Sequence, residues 1–215
     1  MISKYSNTLS QIPLTVVEIE KQLETYDLEF SAIRNTRVEG FTNAPIFLYS
    51  FYAFLINSNR IPTQQEYWEN YVGRAKEWLE QHGFDSTNPN RLNALKARAY
   101  RAYPSFVRDI HFCKLLESTK KYTKVFYNEN LDMKDGIDIV VEKNDKLYCI
   151  HLFVKTSISK GWKEKKQKRH DFTDIEQIDL SIDFKKAIPC GKFFLCGNDE
   201  LIKIEAYIAK KERII

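Results

Sequence analysis

The sequence predicts an α/β (α+β) protein in which a helical N-terminal part precedes a mixed sheet flanked by helices. Three observations carry this reading. Up to about residue 120, apolar side chains recur at three- and four-residue steps. After Lys121 the period drops to two. A strongly basic run then separates those strands from a last apolar strand lying between two glycines.

The elements follow in order. In "PLTVVEIEKQLETYDLEFSAIR", Val16, Ile19, Leu23, Tyr26 and Phe30 make one helical stripe. "APIFLYSFYAFLINSN" is apolar nearly all round and reads as a buried helix. In "IPTQQEYWENYVGRAKEWLEQHG", Thr63 caps a helix and Glu66, three residues on, completes a capping box. Tyr67, Tyr71, Ala75 and Trp78 form its inner face, and Gly83 ends it. "STNPN" (86–90) is a turn and the expected boundary between a helical domain, 1–90, and an α/β core, 91–215.

A further helix starts at Arg91, and Pro104 is expected to break it in two, because proline clashes with the preceding turn. Residues 123–129, 136–143 and 146–156 read as three strands, the last two joined by an Asn-Asp turn. The basic stretch "SKGWKEKKQKRHDF" reads as a helix, "CGKFFLCG" (190–197) as a buried strand, and "LIKIEAYIAK" as a final strand or helix.

Composition narrows the class. With 215 residues, 43% of them hydrophobic, the chain can bury a sizeable core. A net charge of +4 does not by itself indicate a nucleic-acid partner. Cys113, Cys149, Cys190 and Cys196 form no CxxC pair and have no zinc-finger spacing, so reduced, buried thiols are expected. The N-terminus has no apolar core of signal-peptide length, and residues 44–56 are too short and too aromatic to cross a bilayer. A cytoplasmic protein without a membrane partner is the expectation. The loops GxxxxGK[ST] and GxGxxG are absent, as are GxSxG and HExxH.

The charged residues of the strands suggest chemistry. Asp138 opens the second strand, in "GID", and Lys155 closes the third. Alternation sets Asp138 with Val140 and Glu142, and Lys155 with Phe153, His151 and Cys149. Adjacent strands bring the acid near the ammonium if register permits. Hydrolysing a phosphodiester needs a hard cation and a water of lowered pKa, hence converging carboxylates. The simpler reading of Asp138 is an acid at a strand end or paired with a surface lysine. For His151 it is a hydrogen-bonded, partly buried ring, and for Glu117 a solvated helix face.

The order helix, three strands, helix, strand, with Asp138 and Lys155 so placed, resembles the PD-(D/E)XK nuclease superfamily over roughly residues 95–200. The resemblance implies a restriction-endonuclease-like fold and a metal-dependent DNA endonuclease of restriction or mobile-element type, using Mg2+ or Mn2+. In that family an aspartate like Asp138 binds the cation, an acid two residues before the lysine joins it, and the lysine serves the water or the phosphate. Here the second acidic position holds Phe153. Glu117 or Asp109 on the preceding helix are candidates for the missing carboxylate. His151 is the nearest polar residue on the strand, a better ligand for transition metals than for magnesium. The candidate catalytic set is Asp138, Lys155, Glu117 and His151, with Asp138 and Glu117 on the metal. Alternatively the site binds without cutting.

Two basic segments are candidates for the nucleic-acid contact. Lys155, Lys160, Lys163, Lys165, Lys166, Lys168 and Arg169 face a single acid, Glu164. Such a run carries repulsion that phosphates would relieve. Trp162 within it stacks on a base or anchors the segment to the core. In "KARAYRAYPSFVR", Arg98, Arg101 and Arg108 alternate with Tyr100, Tyr103 and Phe106, and guanidinium forks match phosphate oxygens. "IPTQQEYW" also suits the start of a helix-turn-helix reader, although helical packing explains it. Three functions stand open: a DNA endonuclease, a non-catalytic nucleic-acid-binding or assembly subunit of the same fold, and a protein-interaction domain with a basic face. The partners expected are DNA and a second subunit, either another copy or a different chain.

Overall fold

The computed structural model describes residues 6–40, 45–84, 88–135, 137–154 and 175–213. It is a mixed α/β structure. After a 3-10 turn at Thr8–Gln11 come α1 (Val16–Leu23), α2 (Thr36–Glu39), α3 (Phe47–Ser58), α4 (Gln64–Gln81) and α5 (Pro89–Ser118). The strands β1 (Lys124–Phe126), β2 (Ile139–Lys143), β3 (Lys146–Val154) and β4 (Glu176–Ile182) form one sheet. A two-stranded hairpin, β5 (Ile188–Cys190) and β6 (Phe193–Leu195), precedes the last helix, α6 (Asn198–Glu212).

Local chemistry sets several of these elements. Thr15 and Glu18 cap α1 reciprocally, and Thr63 and Glu66 do the same for α4, each pair satisfying two orphan amides of a first turn. Gly83 follows α4 at φ +65°, the left-handed conformation that glycine adopts without penalty. Asn144 and Asp145 both have positive φ, as a two-residue loop between twisted strands requires, and Lys143 pairs with Lys146 across it.

Four expectations are corrected. The stripe through Tyr26 and Phe30 is not one helix: α1 ends at Leu23 and Phe30 is 75% exposed. The chain leaves the helix because its backbone finds distant partners. The Gln64 side-chain amide accepts from Glu29 N–H at 2.7 Å and donates to Glu29 C=O, and the Tyr26 hydroxyl donates to Ile61 C=O.

Pro104 does not break α5, which runs through it for 30 residues. Proline removes the amide that would have served the Tyr100 carbonyl. Gln64 Nε2 takes that carbonyl instead, at 3.1 Å, inside the core.

The apolar stretch from Cys190 is a hairpin rather than a single strand. Gly191 turns it at φ +55°, so close to α1 that a Cβ would lie 2.4 Å from the Leu23 carbonyl oxygen. The final segment is α6, a helix. Finally, the fourth strand of the main sheet is β4, whose alternation of Ile178, Leu180 and Ile182 with Gln177, Asp179 and Ser181 is visible in the sequence.

The sheet order is β1-β2-β3-β4. The first three strands are antiparallel neighbours and β4 runs parallel to β3, Ile150 opposite Ile178. The outer edge of β1 is closed by Asn7, whose amide bonds both Val125 C=O and Tyr127 N–H. This occupies backbone groups that an open edge would offer to another chain.

One buried hydrophobic cluster extends from Leu9 to Ile208. It draws on α1, α3, α4, α5, α6 and one face of the sheet, and therefore on both sides of residue 90. Tyr52 of α3 stacks on Tyr127 beyond β1 at 4.7 Å, joining helical layer to sheet. The opposite face carries a second cluster of Phe126, Leu131, Ile137, Val140 and Cys149, with Ile175 against it.

Candidate functional site

Strand alternation assigns the polar residues to faces. Ile139, Val141, Tyr148, Ile150, Ile178 and Leu180 belong to the large cluster, Val140 and Cys149 to the small one. Asp138, His151 and Asp179 continue the side of the small cluster. The register aligns them. Ile139 pairs with Ile150, so the next step outward sets Asp138 opposite His151, and His151 pairs directly with Asp179. Neighbouring strands lie about 4.8 Å apart, so the three positions form a row across β2, β3 and β4.

Each member is held differently. Asp138 is only 9% exposed, and its Oδ2 accepts from the Leu152 N–H of β3 at 2.7 Å. A charge-assisted bond of this kind fixes the carboxylate at the point where β2 begins. His151 is half-buried, and its Nε2 donates to Gln177 Oε1. Gln177 Nε2 in turn donates to Ile175 C=O at 3.3 Å, which orients the amide so that its oxygen meets the imidazole. Asp179 is exposed. No sequence expectation covers Asp179; the signal that could have found it is the period-two alternation of residues 176–182.

The remaining candidates lie elsewhere. Phe153 shares the row's side of β3, half-buried, and offers no ligand atom. Glu117 sits near the end of α5, whose apolar side packs on the other face of the sheet. Its carboxylate pairs with Lys114 at 3.0 Å, and Lys114 Nζ also donates to the Leu9 and Ile12 carbonyls. That is a structural tie between α5 and the N-terminal segment. Asp109, also on α5, is half-buried beside the Tyr52 and Tyr127 phenols. Burial, with Asp109 and Asp132 adding to it, pushes both phenols well up.

The arginines of α5 all make tertiary contacts. Arg98 donates to Val38 C=O at 2.6 Å. Arg101 donates to Ser31 and Ile33 carbonyls and pairs with Glu39. Arg108 is buried, donates to Phe194 C=O at 3.1 Å and lies over the Phe184 ring. These contacts tie residues 31–39 and the β5–β6 hairpin to α5.

Lys155, Lys160, Lys163, Lys165, Lys166, Lys168 and Arg169, with Trp162, lie outside the described residues. All four cysteines are free and buried. Burial pushes the Cys149 thiol, on the row's side of β3, up to about 12, so it is no nucleophile at neutral pH.

The donor set can be tested against a divalent cation. Among the described residues, no three His, Cys, Asp or Glu side chains are grouped to hold a metal ion. What the row offers is two carboxylates flanking an imidazole. Asp138, His151 and Asp179 are all described residues, so the row does not form a group able to hold a metal ion. Magnesium and manganese are commonly held by one or two carboxylates with water completing the shell, and Asp138 is the buried carboxylate of the row. Also among the described residues, no helix is long and apolar enough to cross a membrane.

No protein-family model, curated protein or solved structure matches this chain.

Proposed function

We propose that the protein is a metal-dependent DNA endonuclease with a PD-(D/E)XK-like core, acting on phosphodiester bonds. The observation that carries this reading is Asp138: a nearly buried carboxylate at the start of β2, fixed by a backbone amide of β3. The chain continues from β3 directly into Lys155 and the basic run. A long helix, then three antiparallel strands and a fourth strand parallel to the third, support the reading; that fourth strand is Glu176–Ile182 and not the 190–197 segment.

A bound Mg2+ or Mn2+ would lower the pKa of a water and neutralise charge on the phosphate. Asp138 would hold it. His151, oriented by Gln177, would border the reacting group. Lys155 would serve the water or the phosphate, and the lysines from 160 to 168 with Arg169 would bind the DNA backbone. The α5 arginines take no part in this reading.

Phe153 favours a second reading, a non-catalytic DNA-binding or assembly subunit of the same fold, because it leaves β3 without its second acid. Incubation with supercoiled plasmid in Mn2+, Mg2+ or EDTA separates the two. Nicking that needs metal and disappears in Asp138→Ala supports the nuclease. Salt-sensitive DNA binding without nicking supports the subunit. Binding unaffected by reversing Lys165, Lys166 and Lys168 removes the basic run from either account.

A further inference from the structure

We infer that the outer side of the β5–β6 hairpin, with the Phe184 ring beside it, is a docking surface for a second copy of this chain. The surface does not depend on the nuclease reading. Alternation divides the hairpin. Cys190, Phe193 and Leu195 turn into the large cluster. Pro189 and its cross-strand partner Phe194 turn outward. Phe194 is 49% exposed, and Phe184, 44% exposed, lies against it with ring centroids 5.6 Å apart. Ile188, at the start of β5, is exposed as well. Scattered exposed apolar side chains are ordinary. Two adjoining aromatic rings beside an exposed proline form a patch of the kind that occupies the centre of protein interfaces.

Charge selects the occupant. The buried Arg108 guanidinium lies against the Phe184 ring, and its Nε bonds the Phe194 carbonyl. Among the described residues no carboxylate pairs with it, whereas Arg101 has Glu39 and Lys114 has Glu117. A buried cation without a counter-charge is costly, so a partner that brings a carboxylate to this face is favoured. The rim carries both signs. Lys185 and Lys186 follow Phe184, Lys192 precedes Phe193, and the acids beside them are Asp183, Asp199 and Asp27. Lys186 pairs with Asp199 and Lys192 with Asp27. A strongly acidic or strongly basic partner would meet like charges along half of such a rim. A second copy, related by a twofold axis, can set the lysines of one rim over the aspartates of the other and offer a carboxylate to Arg108. The patch is small. A fully covered aromatic ring buries about 150–250 Å2, and these two are already half covered, so the interface belongs to the transient class with a dissociation constant on the order of micromolar.

The test is sedimentation equilibrium of the full chain over roughly 1–300 μM at low salt. The parent is expected to follow a monomer–dimer equilibrium. Phe194→Ser should weaken it about tenfold or more, and Lys185→Glu, which reverses one rim charge, about threefold. Phe30→Ser, at an aromatic ring 75% exposed elsewhere on the molecule, should stay within about twofold of the parent. Thermal unfolding close to the parent's shows that each variant is folded; if Phe194→Ser fails this check, Lys185→Glu decides. A parent that stays monomeric throughout the range overturns the inference. So does a dimer that Phe194→Ser and Lys185→Glu leave intact, or one that Phe30→Ser weakens as much. Metal-dependent nicking is unaffected by any of these outcomes, so failure here leaves the nuclease reading standing.

Discussion

On one face of the sheet, Ile139, Val141, Tyr148, Ile150, Ile178 and Leu180 join the large core beneath α5 and α6. On the other, five residues make a small cluster, and beside it Asp138, His151 and Asp179 occupy the row. Both faces come from alternate residues of the same strands, so backbone geometry cannot account for the difference. It lies in what covers each face. Helices that bury apolar side chains make an unsatisfied polar atom expensive, about 1–3 kcal/mol, and those the core holds include tyrosine hydroxyls such as that of Tyr148 rather than carboxylates. The less apolar face can keep carboxylates and an imidazole at a small energetic cost. The sheet thus separates its main core from its polar row by residue parity.

The sharpest way to break this contrast is to truncate one residue on each face of β3. Ile150→Ala removes a fully buried side chain and leaves a cavity, with an expected loss of about 3 kcal/mol in urea unfolding. His151→Ala, its neighbour, removes a half-buried ring and one side-chain hydrogen bond, with an expected loss of less than about 1 kcal/mol. Equal losses would mean that the polar face contributes to the fold as much as the core face does.

What could be read from the sequence follows the range of the interactions. Thr63 and Glu66 were legible because a capping box closes within three residues. The Asn144–Asp145 turn and the parity of Asp138 and His151 were legible for the same reason. The continuity of α5 through Pro104 was not, because it depends on Gln64, forty positions upstream. The partners of Arg98, Arg101 and Arg108 lie beyond that range too. Their spacing suits a phosphate row, but their partners are carbonyls and a carboxylate brought up by remote loops. Asp179 was a different kind of miss. The period-two signal over 176–182 is local and clear in the alternation of Ile178, Leu180 and Ile182 with polar residues, yet the sequence reading gives that segment no element.

A smaller effect tests whether Asp138 is held by the sheet. Asp138→Ala leaves the Leu152 amide without its acceptor, and the expected loss is about 1–2 kcal/mol. Asp138→Asn keeps an acceptor oxygen in place, and stability within about 0.5 kcal/mol of the parent is expected. The same two variants should both fail in Mn2+ binding, so stability and ligation part company at one residue. If Ala and Asn are equally stable, the bond to Leu152 contributes nothing measurable, and the preorganisation of this carboxylate is lost as an argument.

The smallest effect concerns the covered face and is read through pH. Glu205 of α6 accepts from Lys143 Nζ at 2.7 Å and from the Tyr122 hydroxyl at 2.6 Å, clamping the helix over β2 and the segment before β1. Burial alone would raise its pKa, but hydrogen bonds from Lys143 and Tyr122 and the nearby Lys143 and Lys121 charges outweigh it, so the carboxyl titrates below 4.5. A carboxylate whose folded pKa is depressed stabilises the native state fully above its unfolded pKa. That contribution disappears as pH falls from about 4.5 through the lower folded value. At neutral pH the Glu205→Gln variant should be less stable by about 1 kcal/mol, a figure limited by the partial exposure of both partners. Once the pH lies below the folded value, the two proteins should converge in urea midpoint. A difference that persists unchanged into acid would show that Glu205 acts through packing and not charge, and would leave the apolar residues alone to hold α6 on the sheet.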